Sequence, residues 1–72
     1  MTEERLKQIG WRIKKERNKQ KYSQTELGFH CNQISQTMIS KYESGEKAPS
    51  LRQLERLSIA LRVSTDYLLK GI

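Results

Sequence analysis

Five hydroxyl residues, Thr2, Ser23, Ser35, Ser50 and Ser64, each stand just before a stretch with helical apolar spacing, and together they cut 72 residues into short segments. A Ser or Thr there accepts a hydrogen bond from a first-turn amide that has no partner inside its own helix. Two of the five also open a capping-box pattern, Ser23-Gln24-Thr25-Glu26 and Ser50-Leu51-Arg52-Gln53. Nothing alternates with period two over a strand's length. The spacing therefore predicts an all-α fold, a compact five-helix domain spanning residues 1–72.

Each segment carries its own apolar stripe. The first, from Thr2 to about Asn18, places Leu6, Ile9 and Ile13 on one face and acids at Glu3 and Glu4, where the helix dipole favours them. The second and third pair Leu27 with Cys31 and Ile39 with Tyr42, and the third should end at Ser44-Gly45, with Gly45 left-handed. A loop, Gly45 to Pro49, leads to a fourth helix with Leu51, Leu54, Leu57, Ala60 and Leu61 inward, and a last one carries Tyr67, Leu68 and Leu69. Helices as short as the second and third do not persist alone, so the longer first and fourth must hold them. The turn between them, His30-Cys31-Asn32-Gln33-Ile34-Ser35, contains neither glycine nor proline. Asn32 is its expected left-handed stop and Ile34 its apolar plug.

Charge narrows the partner. The net charge is +6 with a pI near 9.8, and residues 1 to 22 alone hold eight basic and three acidic side chains. That balance suits a polyanion, although a solvated helix face reads equally well from composition alone. The single cysteine, Cys31, cannot make an internal disulfide, which fits a reducing compartment. No apolar run reaches the roughly 18 to 20 residues of a membrane span, and no signal-peptide core follows the charged start, so a cytoplasmic protein without a membrane partner is expected. One His and one Cys, adjacent at 30 and 31, give no ligand set for a metal and no catalytic constellation, and no cofactor or small-molecule ligand is indicated. An enzyme is not expected.

Four stretches have the spacing of a known family: "SQTEL" at 23–27, "ISQTMISKYESG" at 34–45, "PS" at 49–50 with its leucine-rich helix, and "ALRVSTDYLL" at 60–69. Together they resemble the phage-repressor, or Cro/XRE-type, helix-turn-helix family, and the close is similar to the N-terminal domains of lambdoid phage repressors. The chain departs from that pattern with Gly28 where alanine is usual, Asn32 where glycine is usual, and one residue more before Ser35, best placed at Gln33. The resemblance implies a repressor-like fold with its helix-turn-helix at about residues 23–44. The third helix would enter the major groove of double-stranded DNA while the second lies across the backbone.

On that implication Gln36 suits adenine, the Thr37 methyl suits a thymine methyl, and Ser40 and Lys41 reach further bases. Met38 is either an apolar base contact or a filler under the turn. Gln24 and the first amides of the second helix suit one phosphate. Ser44, Lys47 and the Gly45-Glu46 amides suit another, with Arg12 and its neighbouring lysines adding long-range attraction. Arg17 and Glu43 correspond to a family ion pair. The partner expected is an operator, palindromic if the chain is a homodimer, with Val63, Tyr67 and Ile72 as candidate dimer contacts. The competing function is an antitoxin-like or regulatory protein-interaction module, for which Trp11 and Phe29, outside the apolar stripes, would be the anchors unless they lie across their own helices or fill gaps in the core.

Overall fold

A computed structural model describes residues 2–72. It contains five helices, α1 Glu3–Lys19, α2 Gln24–His30, α3 Gln36–Ser44, α4 Leu51–Leu61 and α5 Thr65–Lys70, and no strand among the described residues. All five expected N-caps accept an amide of their first turn. At Ser23 the box is reciprocal: the Glu26 amide donates to Ser23 Oγ at 3.0 Å and the Ser23 amide to Glu26 Oε1 at 2.9 Å. The bond to the Ser23 amide also holds the Glu26 carboxyl below its usual pKa. At Ser50 only the forward bond forms, because the Gln53 side chain accepts from Arg56 instead.

The core is Ile9 and Ile13 of α1, Leu27 of α2, Cys31 and Ile34 of the turn, Ile39 and Tyr42 of α3, Leu54, Leu57 and Leu61 of α4, and Leu68 of α5. Leu51 departs from its expected place in this core and is 70% exposed. The buried arc of α4 runs through Leu54, Leu57, Ser58 and Leu61, and Leu51 falls beside it on the outer face of the first turn.

α1 crosses the C-terminal end of α3 so closely that a side-chain carbon at Gly10 would be driven into the carbonyl oxygens of Tyr42 and Glu43. The seven-residue α2 and nine-residue α3 are thus clamped between the longer helices. Gly45 closes α3 in the left-handed conformation, φ 79°. The turn before α3 holds two left-handed residues, Asn32 at φ 62° and Gln33 at φ 68°. No described helix is long and apolar enough to cross a membrane.

Candidate nucleic-acid interface

α3 buries Ile39 and Tyr42 and turns Gln36 and Thr37 outward at its first turn, with Ser40 and Lys41 half-buried on the same flank. Ser35 fixes that turn by accepting from the Met38 amide at 3.2 Å. The Met38 side chain packs against the core, which makes it a filler.

A chain of side-chain hydrogen bonds ties α3 to α2 and α1. Arg17 donates through Nε to Glu43 Oε2 at 2.6 Å and through Nη2 to Glu43 Oε1 at 3.1 Å. Its Nη1 donates to the Tyr22 carbonyl at 2.8 Å. Both side chains are largely withdrawn from solvent, at 11% and 4% exposure. Glu43 Oε1 also accepts from Gln24 Nε2 at 3.1 Å, and Gln24 Oε1 accepts from Gln36 Nε2 at 2.7 Å. An ionised carboxylate only accepts, so the Gln24 amide must turn its NH₂ toward Glu43. Its oxygen then faces Gln36, which must answer with its own NH₂. Gln36 is exposed, and this bond leaves its carbonyl oxygen and second N–H available.

After α3 the loop closes on itself. The Gly45 amide donates to the Tyr42 carbonyl at 3.2 Å, and the Glu46 and Lys47 amides donate to the Lys41 carbonyl at 3.0 and 3.3 Å. These amides complete the helix end and are not turned outward as the sequence suggested. Ser44 Oγ donates to the Lys41 carbonyl at 3.1 Å and accepts from the Glu46 amide at 3.3 Å. Lys47 is exposed, and Lys41 Nζ lies 3.9 Å from Glu46 Oε2.

A family described as helix-turn-helix matches residues 13–68 of the chain. This chain belongs to the helix-turn-helix family. It is 44% identical over 63 residues to the SPbeta prophage-derived HTH-type transcriptional regulator YonR of Bacillus subtilis (strain 168), a match spanning 88% of this chain and 57% of that protein. It is 43% identical over 63 residues to repressor protein C2 of Salmonella phage P22, again across 88% of this chain but only 29% of the phage protein. The P22 c2 repressor crystallised with the synthetic operator 9T superposes with a TM-score of 0.85 at 42% identity, covering 89% of this chain and 96% of that one.

Within this helix-turn-helix domain one expected contact residue lies elsewhere. Arg12 donates through Nη1 to the Leu68 carbonyl at 3.2 Å, on the side of α1 that meets α5 and away from the Gly10 crossing with α3. Its guanidinium completes the end of α5, where the helix dipole favours a cation. Of the three residues suggested for a dimer contact, Ile72 is exposed, whereas Val63 and Tyr67 pack against the core.

Two structural residues were not foreseen from the sequence. Glu16 is 6% exposed and accepts from the Tyr67 hydroxyl at 2.7 Å, with Lys19 Nζ at 3.5 Å. Its position, seven residues after Ile9 and three after Ile13, puts an acid on the buried stripe, and that was the available signal. The bond to Glu16 pushes the Tyr67 hydroxyl pKa up. Gly28 is the second, and only the folded turn reveals why it has no side chain.

Trp11 and Phe29 are 60% and 65% exposed. Lys15 Nζ lies 5.1 Å over the Trp11 ring, while Phe29 meets His30 edge-on and His30 stacks on Tyr22. Neither ring fills the core. Burial raises the Cys31 thiol to about 11, so it stays protonated and unreactive in the fold.

Proposed function

We propose that this chain binds double-stranded DNA sequence-specifically and acts as a transcriptional repressor, reading the major groove with α3. The observation that carries the reading is the hydrogen-bond chain Arg17–Glu43–Gln24–Gln36, which fixes an exposed amide at the first turn of α3. The available acceptor and donor of Gln36 match the N6 amino group and N7 of adenine. Thr37 offers its methyl to thymine, and Ser40 and Lys41 serve bases further along. Gln24 with the start of α2, together with Lys47 after α3, positions the phosphate backbone, and Ser44 joins them by turning its hydroxyl proton from the Lys41 carbonyl to a phosphate oxygen. Arg12 has no part in this set. The operator-bound relative and the repressor and regulator names of the others support DNA as the partner. On this reading the activity is non-enzymatic and belongs where DNA is, in the cytoplasm.

The division of labour is testable. Gln36→Ala should relax base choice at one operator position, since a good bidentate contact is worth about 1–3 kcal/mol of discrimination. Lys47→Ala should weaken operator and random duplex alike and lower the salt slope by about one unit. If the two substitutions had the same effect on operator and random duplexes, the assignment would be wrong.

One observation favours a second reading, a protein-interaction module of the same fold. Trp11 on α1 and Leu51 and Ile59 on α4 leave large apolar side chains exposed, at 60%, 70% and 78%. A protein complex that forms without DNA, in a chain showing no salt-dependent duplex binding, would move the conclusion to that module.

A further inference from the structure

The turn that delivers α3 is built on an absent side chain. A Cβ at Gly28 would be driven into the carbonyl oxygen of Ile34, 3.1 Å from that carbonyl carbon and 3.6 Å from Ile39 Cγ1. The Gly28 carbonyl in turn accepts from the Ile34 amide at 2.9 Å. In the common closure of a helix, the second residue past the cap donates to a carbonyl of the last turn. With Cys31 as cap that donor would be Gln33, yet here the donor is Ile34, one residue later. Two successive left-handed residues, Asn32 and Gln33, carry the extra length. The longer path lays the Ile34 backbone flat on Gly28, in the volume a side chain would occupy. Ile34 is buried at 7% exposure, and the next residue, Ser35, caps α3.

We propose that Gly28 is a positioning residue for the reading helix, and that Gly28 and the inserted Gln33 form a compensating pair: the added turn residue needs the missing side chain. The proposal rests on the DNA-binding reading above. A side chain at 28 would lift Ile34 and Ser35 and tip the first turn of α3. Gln36 would leave Gln24, and both it and Thr37 would be misaimed at the bases. Gln33 acts through backbone length, since its side chain is exposed.

The test is a cycle of the wild type, Gly28→Ala, deletion of Gln33 and the two combined, with Gln33→Gly as a control. Tm, the half-site selected from random duplexes and the ratio of operator to random-duplex affinity are measured for each. Gly28→Ala should lower Tm and reduce the ratio by about tenfold, the size of one mis-seated base pair. Deleting Gln33 in that background should restore both, and Gln33→Gly should leave the half-site and ratio unchanged. Additive losses in the combined variant would overturn the pairing. A Gly28→Ala protein with reduced Tm but wild-type half-site and ratio would overturn the positioning role. If Gly28→Ala alone does not fold, the combined variant decides: selective binding supports the pair, and an unfolded or unselective product overturns it. A wild-type chain that selects no duplex would contradict the DNA reading alone, leaving the coupling in Tm to decide the pair.

Discussion

At the scale of single residues, Glu43 carries the most consequence. It accepts both Arg17 bonds and the Gln24 bond while only 4% of its side chain reaches solvent, so it joins the stability of the fold to the aim of Gln36. Removing one partner of a buried pair strands the other charge, a loss of about 3–5 kcal/mol. Glu43→Gln should therefore lower Tm by at least about 12 °C, taking about 4–8 °C per kcal/mol for a domain of this size. It should also cost operator selectivity, because a neutral amide no longer dictates which way Gln24 turns. A thermal melt and an affinity ratio check both, and an unchanged Tm would show the pair to be dispensable. The Glu16–Tyr67 bond ties α1 to α5 in the same fashion, with a different pH signature. Since the folded pKa of Tyr67 is raised, the stability it contributes is full below the ordinary value of 10.0 and is lost as pH rises beyond it.

At the scale of elements, helix starts and helix ends differ in legibility. Every start was readable, because an N-cap is a chemical requirement met by a few residue types, and Thr2, Ser23, Ser35, Ser50 and Ser64 all meet it. Ends marked by glycine or asparagine were readable too, at Gly45 and Asn32. Those at Lys21, φ 62°, and Arg62, φ 60°, were not, since neither residue type announces a left-handed conformation. Arg62→Gly should accordingly relieve the left-handed cost of about 1–2 kcal/mol and lose about 0.4–1 kcal/mol of it to the freer unfolded chain, seen as a small rise in Tm. A fall in Tm would mean that the Arg62 side chain contributes more than its backbone conformation costs. Within the candidate site, the residue types on α3 were visible in the sequence, and the Arg17–Glu43 pair only through the family resemblance. The linkage through Gln24, the inward use of the loop amides and the capture of Arg12 by α5 were not, because each depends on where a second helix arrives. Gly28 belongs with these: its demand comes from a carbonyl six residues ahead.

At the scale of the whole molecule, one copy measures 28 × 23 × 21 Å and, on the proposed reading, offers one helix, α3, to the groove. Half-sites of a palindromic operator lie about 34 Å apart, one turn of the duplex, so two copies fit on successive turns without overlap. One module would offer few base contacts on the proposed reading, and a pair would double them in the symmetry that a palindrome provides. On the proposed DNA-binding reading, the net charge of +6 would supply the sequence-independent part of the attraction and make it sensitive to salt. The central claim, that α3 is held rigidly to read bases, is tested most directly by selecting from a random duplex library and measuring the affinity of the selected and a scrambled duplex at two salt concentrations. The account predicts a recurring, two-fold-related half-site at one-turn spacing, an affinity that falls with salt for both duplexes, and a selectivity that persists at the higher salt. Recovery of no preferred sequence, with salt-dependent binding equal on both duplexes, would contradict it.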